Sequence, residues 1–305
     1  MLITKANLDA LRTTFGAQFQ AGYDSAETFS DKLATKVGSQ NAQNVYGWIA
    51  QQLRARKWKG PRLVRNLTER SYMLENEEFE ATVGIPRRDI LNDSLGIFAN
   101  QTMPQVGNAI ASIPDDLLVD ILQNNAICFD GGNFFATNHP TFDEAGSTYA
   151  NLIGNNALDA TNFASTWGAM ASYTGEDGRS LGVNPNLLIV PPQLKRTALE
   201  IVNATFAVGA GGTNVSADNV LQGWADVLVV PALSNEPTTW YLADVSRGIL
   251  PFIHQEREPY QFVAMDQPND ANVFENGEYV YGGYYYGNVG VTLPFLITKN
   301  QSASL

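Results

Sequence analysis

The stretch from Tyr46 to Pro86, YGWIAQQLRARKWKGPRLVRNLTERSYMLENEEFEATVGIP, joins two patterns that decide the fold of this chain. Its first half is basic, with seven basic residues and one acidic residue in the range 51–70. In its second half every other side chain over 79–85 is apolar, which is typical of a strand with one buried face. We predict that Arg62 to Ile85 forms a long two-stranded hairpin. A hairpin this polar is marginal alone, so we expect it to lie on another surface.

The charge of this stretch contrasts with the rest of the chain. The protein has a net charge of −12, and from Asp89 to the end it contains six basic and 22 acidic residues. A run of like charges is in the simplest case a solvated face. Two alternatives remain: the basic run docks on an acidic neighbour of the same kind, or it binds nucleic acid. The second is disfavoured, because the remaining chain would repel phosphate.

Composition sets further limits on the class of protein. With 305 residues, 44% of them hydrophobic, the chain can bury a large core. Its single cysteine excludes an intramolecular disulfide framework. The N-terminus lacks the pattern of a signal peptide, and no stretch approaches the roughly 20 apolar residues that span a bilayer. We expect a soluble intracellular protein with no membrane contact.

Helical and strand patterns occur in separate blocks. Apolar residues at helical spacing predict a first helix of about four turns: Leu8, Leu11, Phe15 and Phe19. The polar segment Gln20 to Gln43 is expected to be an extended arm. Residues 89–112 are helical in composition with a kink or break expected at Pro104, and a new helix starts with Pro114 in its first turn. Further helices and strands follow, ending in a tyrosine-rich, β-prone stretch, so the fold class is α+β.

The stretch CFDGGNFFATNHP, residues 128–140, contains the features that most suggest catalysis. Cys128 and His139 would be a nucleophile and its base, but no acid with a clear orienting role is evident nearby. A tight turn at DGGN, with Cys128 buried and Phe134 and Phe135 in the core, is the simpler interpretation. Two histidines and one cysteine give no metal-ligand spacing. We predict no catalytic, cofactor-binding or metal-binding residues, and a Cys/His hydrolase stays a remote alternative.

Six stretches, in order along the chain, resemble one protein family. They are YGWIAQQLRARKWKGPR, FEATVGIPRRDILNDSLGIF, PDDLLVDIL, CFDGGNFFATNHPTF, DGRSLGVNPNLLIVPPQLKRTALEI and NGEYVYGGYYYGNVG. The chain resembles the major head (capsid) subunit of Mu-like bacteriophages, the T-protein family. The resemblance implies the Hong Kong 97-type capsid fold. It divides the chain into an N-terminal arm (1–48), an extended loop (49–88), a peripheral domain with a spine helix (89–145), an axial domain (146–261) and C-terminal strands returning to the peripheral domain (262–305).

The same resemblance implies a structural role rather than an enzymatic one. A major capsid protein self-assembles into hexamers and pentamers, and these form the icosahedral head shell that encloses the phage genome. The implied partners are a scaffold protein, a portal protein and a decoration protein, with weak non-specific contact to packaged double-stranded DNA. The implied location is the virion, assembled in the cytoplasm of the host bacterium. An encapsulin-like compartment of the same fold is the alternative.

The basic run supplies the residues expected at contacts between subunits. They are Trp48, Arg54, Arg56, Lys57, Trp58, Lys59, Arg62, Arg65 and Arg70. The two tryptophans flank the run and are candidate buried anchors. Some relatives crosslink their shells through a lysine–asparagine isopeptide whose lysine lies on the extended loop. The expected tip here, residues 66–70, contains no lysine, so we expect no crosslinking.

Overall fold

The computed structural model describes residues 5–49, 69–93, 96–143, 145–208 and 214–302. The helices in these ranges are α1 (Lys5–Asp24), α2 (Ser30–Leu33), α3 (Arg87–Asn92), a π-helical turn (Phe98–Thr102), α4 (Met103–Ala111), α5 (Ile113–Asn124), α6 (Ala160–Ala171), α7 (Lys195–Val202) and α8 (Ala271–Asn276). The strands are β1 (Ala34–Gly38), β2 (Gln43–Ile49), β3 (Glu69–Glu75), β4 (Glu77–Pro86), β5 (His139–Pro140), β6 (Thr148–Tyr149), β7 (Leu152–Ile153), β8 (Leu187–Val190), β9 (Phe206–Val208), β10 (Asn214–Asp218), β11 (Asp226–Val229), β12 (Thr239–Ala243), β13 (Phe252–Met265), β14 (Glu278–Val291) and β15 (Ile297–Gln301).

A four-stranded sheet in the order β1-β13-β14-β4 is built around two long strands. β13 and β14 are antiparallel and 14 residues each, with β1 parallel to β13 and β4 antiparallel to β14. The tyrosine-rich stretch thus forms a strand, as predicted. Tyr279, Tyr281 and Tyr285 are at most 2% exposed on one face of it. Gly283 lies on the same face, where a Cβ would come within 2.8 Å of the Phe19 ring, so the glycine lets the helices above approach the sheet.

Helices α1 and α4 form the layer over this sheet. The predicted first helix is confirmed, and it extends to Asp24; Leu8, Phe15 and Phe19 are buried along one side. No break occurs at Pro104: a π-helical turn runs directly into α4, Thr102 and Met103 keep helical dihedral angles, and Pro104 lies in the first turn of α4. α5 then begins with Pro114 in its first turn, as the sequence indicates.

A five-stranded sheet in the order β11-β8-β12-β15-β7 forms a second layer. The strands β8 and β12 are buried along their whole length. One face packs against α6 and α7, through Phe163, Met170 and Ile201 among others. The other face shares a core with α5 and the ends of β13 and β14, and Phe134, Phe135 and Tyr241 lie at the centre of that core. The two sheets are therefore joined by one apolar cluster, and the predicted α+β class is confirmed.

The predicted hairpin over Arg62 to Ile85 is wrong in its strand pairing. β3 pairs with β2, which precedes it, and β4 pairs with β14 about 200 residues further along the chain. Asn76 alone separates β3 from β4, whereas the shortest common hairpin loops have two residues, so these strands cannot fold back on each other. The alternating face of β4 is covered by α1 and α4 instead, and Ile85 is 1% exposed.

Two further segments differ from the expected arrangement. The polar segment 20–43 is not one extended arm: it completes α1, forms α2 and adds β1 to the sheet beside β13. The backbone amides of Phe29 and Ser30 both donate to the carboxylate of Asp115 in the first turn of α5, which fixes this segment on its own chain. Within residues 262–305, β14 lies in the four-stranded sheet but β15 lies in the five-stranded sheet.

Candidate assembly surface and the cysteine–histidine stretch

Two of the nine candidate contact residues lie opposite each other. In the antiparallel pair β2–β3 the Cα partner of Trp48 is Arg70, and the last described pair is Ile49 with Glu69. The other candidates (Arg54, Arg56, Lys57, Trp58, Lys59, Arg62 and Arg65) lie outside the described residues. Because Ile49 and Glu69 are paired, the two ends of the basic segment are held side by side.

A buried polar network fixes the root of this hairpin. The Gln255 side chain on β13 is fully buried, and its Oε1 accepts a hydrogen bond of 2.6 Å from the Tyr46 hydroxyl on β2. Its Nε2 donates to Asn76 Oδ1 at 2.6 Å and to the Leu74 carbonyl at 3.4 Å. Asn76 Nδ2 in turn donates to the Asn41 carbonyl at 2.8 Å. Gln255 thus holds Tyr46, Leu74 and Asn76 of the hairpin root against the four-stranded sheet.

The two faces of the hairpin differ in their environment. Leu74 and Tyr72 point toward the body of the protein; Leu74 is 6% exposed, and the Tyr72 hydroxyl lies 3.4 Å from the Val291 amide, which donates to it. On the other face Val45 and Met73 are Cα partners, and both are about 60% exposed. An exposed cross-strand apolar pair on a projecting ribbon is suited to contact with another molecule.

An acidic surface lies along β4, the edge strand of the four-stranded sheet. Glu78 and Glu80 are exposed on the face that α1 and α4 leave open. Their Cα partners on β14 are Tyr286 and Tyr284, which are half-buried. Charged side chains on an edge strand oppose indiscriminate strand pairing. They also give a basic partner a complementary surface.

The cysteine of the 128–140 stretch is a core residue. Cys128 is 3% exposed, and burial raises the pKa of its thiol to about 12, with the nearby Asp130 carboxylate adding to the shift. A thiol with this pKa carries almost no thiolate near neutral pH, and the thiolate is the nucleophile. The Cys128 amide donates to the Gly132 carbonyl at 2.8 Å, closing the predicted turn.

The histidine of the same stretch is held by its turn. His139 is 1% exposed; its Nδ1 lies 2.7 Å from Asp130 Oδ2, and its Nε2 lies 3.0 Å from the Phe134 carbonyl oxygen. The expectation that no acid orients this histidine is wrong, because Asp130 does so. Both ring nitrogens, however, lie within hydrogen-bond distance of these oxygen atoms and not of the Cys128 sulfur. The geometry therefore holds a turn together and does not assemble a nucleophile with its base.

In the described ranges, no group of three or more histidine, cysteine, aspartate or glutamate side chains is placed to hold a metal ion. No helix in these ranges is long and apolar enough to cross a membrane.

The sequence patterns missed the polar network because no local signal marks Gln255, its central residue. Gln255 lies more than 170 residues from Tyr46 and Asn76, and an isolated glutamine in a strand has no distinguishing pattern. Two signals of a polar network are present in the sequence: the asparagine-rich turn before Tyr46, and the lone Asn76 between two strand patterns.

Comparison with solved structures defines the class of protein. The fold is similar to that of the procapsid of bacteriophage JBD30, with a TM-score of 0.59 and 27% identity, covering 99% of this chain and 77% of that one. It is also similar to the virus-like particle from Pyrococcus furiosus, with a TM-score of 0.55 over 95% of this chain and 98% of that one; at 8% identity this likeness concerns the fold alone. The chain has the fold of Hong Kong 97-type capsid subunits, as the resemblance implied.

Sequence comparison gives the family within that class. The profile of the "Mu-like prophage major head subunit gpT" family matches residues 8–157, 151–233 and 229–304, and the chain belongs to this family. It is 26% identical over 284 residues to the major capsid protein of Escherichia phage Mu, covering 92% of this chain and 69% of that protein. It is 24% identical over 290 residues to the Mu-like prophage FluMu major head subunit of Haemophilus influenzae, covering 94% and 71%.

Proposed function

We propose that this major capsid subunit builds its shell by laying the basic segment of one copy on the acidic surface of the next. The observation that carries the proposal is the pairing of Ile49 with Glu69, the residues that flank a segment with six basic residues. The buried Gln255 network gives this segment a fixed starting direction. Trp48, opposite Arg70, stands where the described ribbon meets the basic run.

Electrostatics supports a neighbouring copy as the partner. The chain has a net charge of −12 although the basic segment is strongly positive, so the remainder of each copy attracts the segment of another. Complementary charge of this kind fixes register and speeds association more than it adds affinity. Contacts between two different surfaces of identical subunits, repeated around an axis, generate closed rings. We infer that such rings are the hexamers and pentamers of an icosahedral head in the virion.

The proposed roles of the chain regions follow the family resemblance. We retain the arm (1–48), the extended loop (49–88), the peripheral domain (89–145), the axial domain (146–261) and the C-terminal strands (262–305) as proposals. Assembly with a scaffold protein in the host bacterial cytoplasm, contact with a portal and a decoration protein, and weak contact with packaged DNA belong to the same proposal. So does the absence of enzymatic activity and of covalent crosslinking.

Charge reversal with a matched control tests the docking of the hairpin. We expect the triple variant Arg62→Glu, Arg65→Glu, Arg70→Glu to lower the yield of particles at least about tenfold, since like charges would then face each other. The control reverses three exposed basic residues elsewhere, Arg179, Lys195 and Arg196, with the same change in net charge. Sedimentation and electron microscopy measure assembly, and circular dichroism checks the folded subunit. Normal assembly of the hairpin variant, or equal loss in the control, would contradict the docking.

Two observations on native particles separate the remaining alternatives. Nuclease-protected DNA inside particles is expected of a phage head and not of an enzyme-filled compartment, and the family of this chain favours the head. A ladder of multimers on a denaturing gel would contradict the proposed absence of crosslinking.

A further inference from the structure

A lysine side chain is buried where the helix α5 ends against the five-stranded sheet. Lys299 lies on β15, and its side chain is 4% exposed. Its Nζ donates to the Leu122 carbonyl, in the last turn of α5, at 2.8 Å and lies 3.4 Å from Glu236 Oε2. The ring centroids of Phe135 and Tyr241 lie 5.9 and 5.6 Å from the same nitrogen. A cation at the C-terminal end of a helix also faces the negative end of the helix dipole.

Stability alone does not explain this buried charge. Burial lowers the pKa of the Lys299 ammonium, and the Glu236 carboxylate, which is 25% exposed, offsets only part of that shift. A buried ion pair often stabilises a fold no better than apolar side chains of the same volume, because the charges lose their water. Apolar contacts, however, have no preferred direction, whereas a charged hydrogen bond fixes the relative position of its partners. The lysine is therefore suited to a positioning role.

The contacts of Lys299 join parts of the subunit that belong to different layers. α5 shares a core with the ends of β13 and β14, whereas β15 belongs to the five-stranded sheet. The Tyr241 hydroxyl on β12 donates to the same Leu122 carbonyl at 3.0 Å. The side chain of Gln123, the next residue of α5, donates to the Ala232 carbonyl at 3.2 Å. Polar contacts thus fix the end of α5 to β12, to β15 and to the segment between β11 and β12.

We propose that Lys299 is a positioning residue for assembly: its ammonium fixes the angle between α5 and the five-stranded sheet, and hence between the two sheets of the subunit. A ring of identical contacts closes only if each copy presents them at the same angle. Loss of a hydrogen bond to a charged group shifts the balance between two arrangements about tenfold or more. Without the ammonium the subunit stays folded but adopts other angles, so its shells vary in size. The proposal rests on the shell-forming function, but it concerns the interior of the subunit and not the basic segment.

Replacing the cation by an apolar side chain of similar length tests this role. Lys299→Met is expected to leave the melting temperature of the unassembled subunit unchanged and to lower the fraction of closed particles with the wild-type diameter about tenfold. Tyr241→Phe is the matched control, because it removes a neutral donor from the same Leu122 carbonyl and keeps the ammonium; its particles should have the wild-type diameter. Electron microscopy measures the diameters. Faster exchange of the Asn125 amide, which donates to the Ile121 carbonyl, should accompany Lys299→Met.

The outcomes distinguish this role from the shell-forming function itself. Wild-type protein that yields no particles would overturn both. Wild-type particles together with Lys299→Met particles of the same diameters, or equal loss of uniformity in Tyr241→Phe, would overturn the positioning role alone. Should Lys299→Met lower the subunit's melting temperature, the double variant Lys299→Met, Glu236→Leu decides, since it leaves no carboxylate without its partner. The double variant is expected to recover the melting temperature but not the uniform diameter, and any other result would show that Lys299 does not position α5 for assembly.

Discussion

Gly107 should tolerate no side chain, because the backbones of two helices meet at this residue. It lies on α4, and a Cβ at Gly107 would overlap the Phe19 carbonyl oxygen on α1 and come within 2.8 Å of the Tyr23 amide nitrogen. Gly22 on α1 faces α4 in the same way, with the carbonyl carbon of Pro104 2.7 Å from its own would-be Cβ. All of these obstacles are backbone atoms, which cannot move aside by changing a rotamer. Gly107→Ala must therefore separate the two helices.

Two opposing effects determine how much Gly107→Ala changes the free energy of unfolding. Replacing glycine by alanine inside a helix stabilises it by up to about 1 kcal/mol. Overpacking a tight contact costs about 1–3 kcal/mol, and here the separation would also loosen Phe15 and Phe19 from the sheet. Gly168 on α6 is the matched control, since it is an exposed helical glycine with no atom within 4 Å of its would-be Cβ. Both variants share the gain in helix propensity, so we expect Gly168→Ala to raise the free energy of unfolding and Gly107→Ala to fall about 1–3 kcal/mol below it.

Urea denaturation of the unassembled subunit measures this difference, and hydrogen–deuterium exchange locates it. Amides of α1 should exchange faster in Gly107→Ala, whereas those of the five-stranded sheet should not change. If Gly107→Ala is as stable as Gly168→Ala, the two helices are not in backbone contact, and the packing derived from this structure is incorrect.

Two further predictions concern the hairpin root and the buried thiol. Gln255→Leu is expected to lower the free energy of unfolding by about 1–3 kcal/mol and to speed amide exchange in β2 and β3, because Tyr46 and Asn76 lose their shared partner. The control is Gln261→Leu, at an exposed residue of the same strand. Equal effects of the two substitutions would contradict a positioning role for Gln255. Cys128 in the folded subunit should resist iodoacetamide at pH 8 and react after unfolding, since its thiol pKa is about 12. Rapid labelling of the native subunit, followed by mass spectrometry, would show that the thiol is accessible and ionised.

Local patterns predicted the element type of β4, but not its partner. The period of two in β4 correctly indicates a strand with one buried face, because that signal depends only on the alternation of apolar side chains. Its partner β14 lies about 200 residues away, and nothing in residues 79–85 identifies it. A closer use of loop geometry would have excluded β3, since the single residue Asn76 cannot make a hairpin turn.

For the functional surfaces, too, the sequence predicted some features and missed others. The charge of the basic segment is a property of the sequence, so an interface could be proposed from it directly. The exposure of Phe274, 86%, was not predicted, because one phenylalanine in the short polar segment 266–277 has no periodicity and would be taken for a core residue. Phe274 is exposed because Val273 occupies the inward side of α8. The pairing of His139 with Asp130 likewise needs a turn whose shape Gly131 permits at φ 82°.

The hairpin root and the helix α8 lie at opposite ends of the β13–β14 ribbon, and this placement bears on shell geometry. Gln255 holds the hairpin root near the start of β13, and Met265 ends the strand beside α8. The ten residues between them correspond to about 30 Å of strand. Register shifts at Glu256, Glu258 and Gln261 interrupt the pairing with β14 within this length, and such irregularities bend and twist a ribbon locally. The distance of the hairpin root from α8 is therefore set by one continuous strand, whereas the direction of the root relative to α8 depends on this irregular region. A subunit that fits rings of different size needs that combination, because a bend in the ribbon changes the angle of the hairpin without changing its length.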